Sequence, residues 1–372
     1  MKNSHHAGLS VGQILLILLC AVLALILTAM IFGTAFVVDM LGQITYVPDG
    51  EETTLSPEQI ESIYEEMWST TDGTEWDEDD PDWTFDDEDI PSGEIIPSYT
   101  GDLNASDITI PSDTPPTLIR HDDIVNILLV GQDRRAHQTG NRRSDTMILV
   151  TFNTQEKTIT MTSFMRDLYV AIPGRQGNRM NAAYRFGGMS LLCETMLVNF
   201  GVYVDGVIEV DFTSFQKIID RLGGVTVNLT AKEANYLNSK YKMNVKKGNV
   251  HLDGAATLIY ARIRKLDSDY QRTARQRKVL TQVINKCKNM DINELMFMMK
   301  ELLPSVKTNM TQKEITNYVL TMLPMLPDAK VISLRIPASG MYASTRVRGM
   351  MVLAPDIPLT RQYLLEALMP GY

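Results

Sequence analysis

Twenty-five consecutive residues, Ile14 to Val38, carry no charge, and any fold must accommodate them. At about 1.5 Å rise per residue a helix of that length is roughly 37 Å long, enough to cross a ~30 Å hydrocarbon layer with some tilt. A cleavable signal would have a shorter apolar core, about 7–15 residues, followed by a small-x-small site. Leu18-Leu19-Cys20 also lacks the small residue that precedes a lipid-modified cysteine. The run is therefore read as an uncleaved transmembrane anchor. Lys2, His5, His6 and the free amine flank it on one side and Asp39 on the other. This bias places residues 1–13 in the cytoplasm and the remainder outside, as a single-pass protein of the cell membrane.

Charge divides the rest of the chain. Met40 to Ile119 holds 22 Asp or Glu and no Lys or Arg, whereas Arg120 to the end holds 34 Lys or Arg and 22 Asp or Glu, an excess of 34 − 22 = +12. The overall −10 thus hides a basic domain behind an acidic segment. Residues 39–119 read as a mostly disordered extracellular spacer, because runs such as Asp77-Glu-Asp-Asp-Pro81 have too little apolar content to build a core. One short helix is expected at Pro57–Trp68, with Ser56 as N-cap. As a flexible coil the spacer reaches on the order of 50 Å. The basic remainder favours anionic ligands. DNA is not expected among them, since the domain lies outside the cell. Cys20, Cys193 and Cys287 form neither a metal motif nor a disulfide framework.

From Arg120 to Tyr372 the pattern is that of one domain. Val125–Val130, Thr146–Phe152 and Thr158–Phe164 read as strands, with a hairpin-like turn at 153–157. Ser190–Phe200 is expected to be a helix stopping at Gly201, Val202–Phe212 a strand, Thr213–Leu222 a helix ended by Gly223-Gly224, and Val225–Leu229 a strand. Helices follow at Ala255–Ile263 and Tyr270–Lys288, then near 293–303, 311–323 and 359–369, with a strand at Val331–Ile336. Strands alternating with helices argue for an α/β domain whose helices cover a sheet.

Its chemistry lies in scattered arginines and two aspartates. Asp133 follows an apolar strand that ends in Gly131-Gln132, a favoured place for ligand groups in α/β sheets. Arg143 and Asp145 share Arg143-Ser-Asp-Thr146, and Arg166 sits in Phe164-Met-Arg-Asp167. Arg262 and Arg264 alternate. In an extended segment both would project from one face and could grip one diphosphate, whereas in a helix they would diverge. Asp269, Arg272 and Gln276 share a helix face, while Arg275 and Lys278 lie elsewhere and are expected to be solvated, with Arg134 and Arg135 peripheral. Guanidinium forks suit phosphate oxygens, and paired carboxylates suit a hard cation such as Mg²⁺. No other apparatus competes. His5, His6, His121, His137 and His251 have no metal spacing, there is no Walker A loop or GxSxG elbow, and Gly187-Gly188 and Gly223-Gly224 read as helix punctuation.

At these residues the chain resembles the LytR–CpsA–Psr family of bacterial cell-envelope glycopolymer transferases. The matching segments run in family order over residues 123–290: Asn126–Asp133, Arg143–Thr146, Ser163–Asp167, Met180–Tyr184, Leu222–Val227, His251–Gly254, Ala261–Arg264 and Asp269–Gln276. Gln132 and Phe164-Met165 depart from the family pattern without touching a charged position. The resemblance implies a three-layer α/β/α sandwich around a central mixed sheet. It implies a phosphotransferase that moves a teichoic acid, capsule or other secondary polysaccharide from a polyprenyl-diphosphate carrier to a sugar hydroxyl of peptidoglycan. By position, Asp133 and Asp145 match the acids associated with Mg²⁺. Arg166, Arg262, Arg264 and Arg272 match the diphosphate-binding arginines, with Arg143 and Gln276 as further substrate contacts and Arg166 and Arg264 counted as catalytic. Asp133 is the expected general base for the attacking hydroxyl. Two other classes fit the same residues: a polyprenyl-diphosphate hydrolase, and a non-catalytic polyprenyl-phosphate-binding envelope regulator.

Overall fold

The structure, a computed structural model, describes residues 45–46, 116–132, 144–290, 294, 297–298 and 306–371. The anchor at 14–38, the helix expected at Pro57–Trp68, and Asp133 and Arg143 lie outside the described residues, as do the side chains of Gln132 and Asp145. Among the described residues no helix is long and apolar enough to cross a membrane.

A two-residue strand, β1 (Thr45–Tyr46), precedes a meander of β2 (Ile124–Gln132), β3 (Ser144–Asn153) and β4 (Thr158–Phe164). A small hairpin, β5 (Tyr169–Val170) and β6 (Asn178–Arg179), leads into α1 (Met180–Phe200), and β7 (Gly206–Asp211) leads into α2 (Phe212–Arg221). Strands β8 (Val225–Leu229) and β9 (Gly248–Leu252) pair around α3 (Ala231–Tyr241) and are followed by α4 (Gly254–Ala261) and α5 (Asp269–Lys288). Then come β10 (Lys307–Thr308), α6 (Gln312–Met322), β11 (Lys330–Ile336), the hairpin β12 (Tyr342–Val347) and β13 (Met350–Pro355), and α7 (Ile357–Leu368). Of the helix expected near 293–303, only residues 294, 297 and 298 are described, and they are helical.

The central sheet has the order β1-β10-β7-β2-β3-β4-β11. It is mixed: β2 pairs antiparallel with β3 and β3 with β4, while β7 runs parallel to β2 and β11 parallel to β4. Strands β2, β4, β7 and β11 therefore point the same way. Alternation along them sorts side chains to two faces. Leu128, Val130, Met147 and Leu149 pack with Leu192 and Met196 of α1 and Leu364 of α7. On the opposite face Val125 and Ile127 meet Ile315 of α6, and Ile159 and Met161 meet Leu280 and Ile284 of α5. Helices thus cover both faces of a mixed sheet. Fully burying each such aliphatic side chain contributes roughly 1.5–3 kcal/mol. A separate cluster, including Ile219, Val227, Leu237 and Tyr260, joins α2 through α5 with β8 and β9 beside the sheet.

Two boundaries differ from expectation. The domain begins before Arg120: Ile119 is 1% exposed, bridges Val202, and donates its amide to Gly201 O at 2.8 Å. Thr45-Tyr46, within the stretch read as spacer, pairs with Lys307-Thr308 at the sheet edge. Helix α1 begins ten residues earlier than Ser190 and is kinked at Gly187 and Gly188. Its first turns, Met180 to Tyr184, are buried on all sides, so no apolar stripe marks them.

Candidate active site

The like-directed strands end on one edge of the sheet, where ligands collect in α/β folds. Gly131 faces Thr146 and Gln132 faces Ser144, so Asp145 is the extra residue of a bulge beside the end of β2. Only glycine fits this approach comfortably, since a Cβ on Gly131 would lie 3.0 Å from the Thr146 Cβ. Bulges re-aim the chain, often beside active sites. Asp133, the next residue but one after Gly131 in the sequence, lies outside the described residues.

Arg166 follows β4 on the same edge. Its Nε lies 3.4 Å from Asp167 Oδ2 and 3.8 Å from Asp269 Oδ2. Asp269 opens α5, and its carboxylate is also held by the Arg272 guanidinium, at 2.8 Å to Oδ1 and 2.9 Å to Oδ2. Arg272 is 2% exposed, and its pairing with Asp269 bears out the helix face expected to be shared by the two. Arg179, at the end of β6, lies 3.6 Å from Asp167 Oδ1 and donates to Met351 O at 3.0 and 2.6 Å, tying the network to the β12–β13 hairpin. Burial lowers the Arg179 pKa; Asp167 opposes that shift and Arg166 adds to it. Among the described residues, three guanidiniums thus surround two carboxylates at the strand ends.

Arg262 lies beside the residue that follows β7. Helix α4 stops at Ala261, and Arg262 is its C-cap with φ −104° and ψ 5°. Ile263 is buried between an exposed Arg262 and a half-buried Arg264, so the two arginines do not diverge as on a continuing helix. The Arg262 guanidinium lies 4.1 Å from the ring centre of Phe212, directly after β7. One turn beyond Arg272, the buried Gln276 Oε1 has no hydrogen-bond partner among the described residues, which leaves a polar group for a ligand.

Arg275 corrects the expectation of solvation. It is 2% exposed, with Nε 2.8 Å from Glu233 Oε1, Nη1 3.1 Å from Ile263 O, and Nη2 against Asp267. Burial acts to lower its pKa, but the bonds to Asp267 and Glu233 raise it on balance. Lys278 is exposed, as expected. Asp167 and Arg179 were not singled out from sequence, and Asp269 was placed on a helix face with Arg272 but given no role. Asp167 and Asp269 lie inside the motif segments, but Arg179 meets them only through the fold.

Among the described residues no group of three His, Cys, Asp or Glu is placed to hold a metal ion. Of the expected cation ligands, Asp133 lies outside the described residues and only the backbone of Asp145 is described. Paired carboxylates are a donor type that suits Mg²⁺ sharing its ligands with a phosphorylated substrate.

The LytR_cpsA_psr family model matches residues 99–362. The chain is 37% identical over 174 residues to the polyisoprenyl-teichoic acid–peptidoglycan teichoic acid transferase TagT of Bacillus subtilis strain 168, covering 45% of this chain and 54% of that protein. It is 37% identical over 197 residues to the correspondingly named TagU of Bacillus licheniformis, covering 52% and 62%. The matched stretch thus spans little more than half of these two relatives' lengths. Among solved structures, TagT bound to LIIa-WTA superposes with a TM-score of 0.56 at 28% identity, covering 70% of this chain and 98% of that one.

Proposed function

This chain belongs to the LytR_cpsA_psr family, and we propose that it transfers a glycopolymer of the teichoic acid kind from a polyprenyl-diphosphate carrier to a sugar hydroxyl of peptidoglycan. The observation that carries this reading is the Asp269 carboxylate shared by Arg166 and Arg272 at the carboxyl end of the sheet. The attacking sugar oxygen forms a bond to the phosphorus that bears the glycan. The bond from that phosphorus to the bridging oxygen breaks, and polyprenyl phosphate leaves. In such displacements the protein mostly positions groups and neutralises charge. Arg272 is already desolvated, Arg166 is partly so, and both are held by Asp269 before substrate arrives. Arg262 and Arg264 close on the diphosphate, and Arg143 and Gln276 add polar contacts. Asp133 takes the proton of the attacking hydroxyl. Mg²⁺, held by Asp133 and Asp145, would neutralise charge on the diphosphate oxygens when bound. The run 14–38 anchors the chain in the cell membrane, with the domain outside and residues 39–119 as spacer.

The test supplies the purified protein with lipid-linked glycan, Mg²⁺ and peptidoglycan oligomer. Glycan joined covalently to peptidoglycan is the expected product. Free phosphorylated glycan would make the protein a hydrolase, and no turnover a binder; either result overturns the proposal. Omitting Mg²⁺, or changing Asp145→Asn, is expected to abolish turnover.

A further inference from the structure

A second pair of arginines, Arg277 and Arg335, lies beside the first cluster and is not used by the transfer mechanism. The Arg277 Nε donates to Ser333 Oγ at 2.7 Å and its Nη1 to Ser163 Oγ at 2.8 Å. Ser163 of β4 is the register partner of Arg335 on β11. Ser163, Ser333 and Arg335 therefore share the sheet face that α5 covers. Arg335 donates to Pro337 O at 3.1 Å and Ser339 Oγ at 3.2 Å, and its guanidinium lies 4.3 Å from the ring centre of Tyr270. Every one of these partners is neutral. Among the described residues no carboxylate lies within salt-bridge reach of either guanidinium, in contrast to Arg166, Arg179, Arg272 and Arg275. Burial and the neighbouring Arg335 charge pull the Arg277 pKa down to about 10.

Two neighbouring half-buried cations held by hydroxyls and one backbone carbonyl repel each other and forgo hydration, an arrangement that an oxyanion between them would relieve. Its place identifies the anion. Thr273 on α5 contacts Met165, next to Arg166, and Arg277, one turn further along the helix, contacts Ser163, two residues back along β4. The pair is thus the next cationic station along α5 from the diphosphate cluster. We propose that Arg277 and Arg335 bind a second phosphate of the donor, a phosphodiester in the glycopolymer itself. The assignment rests on the transfer reading for the ligand's identity, though not for the existence of the anion site.

The test measures binding of a soluble glycerol-phosphate oligomer to the full-length protein by calorimetry, with inorganic pyrophosphate present to occupy the Arg166–Arg272 cluster. A muropeptide with free carboxylates serves as the comparison ligand. Arg277→Gln and Arg335→Gln are each expected to weaken oligomer binding about tenfold or more, as the loss of a charge-assisted hydrogen bond does, with muropeptide affinity unchanged. Arg335→Lys, which keeps the charge, is expected to recover part of the affinity. Unchanged oligomer affinity in the double Gln variant, or a loss confined to the muropeptide, would overturn the proposal. Arginine-dependent oligomer binding by a protein that fails to transfer glycan would leave the subsite standing and remove the transfer reading.

Discussion

Arg272 and Arg275 lie one turn apart on α5, each 2% exposed, and their partners separate their roles. Arg272 shares Asp269 with Arg166, so both are aimed at the strand ends. Replacing Arg166 or Arg272 by Ala is expected to lower kcat about 10²–10³-fold, the scale for losing one donor to a developing oxyanion. Lys should restore only part of the rate, because a point charge lacks the bidentate fork; steady-state transfer kinetics check both. Arg275 is instead committed to Glu233 and Asp267. Arg275→Ala is expected to cost about 3–5 kcal/mol, the scale for breaking a buried ion pair, measured by urea unfolding. Burial would push the Glu233 carboxyl up, but bonds from the Thr230 amide and Arg275 hold it below its ordinary value on balance. Its folded pKa is depressed, so its contribution is present above the unfolded value of about 4.3 and is lost as pH falls through the lower folded value. Removing Arg275 should shrink that acid-dependent loss, which unfolding curves between about pH 5 and pH 2 would reveal. Nothing local distinguishes Arg275 from Arg272. They are the same residue type on one helix, and only the folding of α3 and the 263–267 loop against α5 gives them different partners.

Elements marked by a short apolar run, by alternation or by an apolar stripe were legible. Strands β2, β3, β4, β8 and β11 and helices α2, α5, α6 and α7 lie within a few residues of their expected bounds. Strand β4 is buried on both faces and reads as a continuous run, whereas β8 alternates. Elements without such a mark were not. The first turns of α1, Met180 to Tyr184, are buried on all sides, and the β12–β13 hairpin, though bounded by Gly340 and turned at Arg348-Gly349, was not read as strands. That hairpin nevertheless supplies Met351 O to Arg179. The Gly223-Gly224 stop was legible, and the structure gives its second residue a further constraint. Gly224 has φ +75°, and a Cβ there would fall 2.6 Å from both His251 Nε2 and Leu252 O. Gly224→Ala is expected to cost roughly 1–3 kcal/mol through strain and crowding of the β8–β9 pair, read as a lowered Tm.

Over the whole molecule, the site forms where one edge of the sheet meets the start of α5. Integrity of that sheet depends on residues before Arg120. Ile119 is buried, and its carbonyl accepts from Asn126 Nδ2 at 3.2 Å. A chain starting at Arg120 should therefore melt several degrees below one starting at Asp113, roughly 2–4 °C per kcal/mol lost for a domain of this size, by calorimetry. The sequence by itself determined the α/β class and the order of most elements, because doubly buried strands read as short apolar runs and one-sided burial writes a period into the helices. It also marked Arg166, Arg262, Arg264, Arg272 and Gln276, because their segments stand in the order of a known family. Tertiary structure alone decided which charges meet. It set Asp269 between Arg166 and Arg272, turned Arg275 inward, and left Arg277 and Arg335 together without a carboxylate. An ion pair is a relation between distant residues, and neither spacing nor composition records the distance that the fold closes.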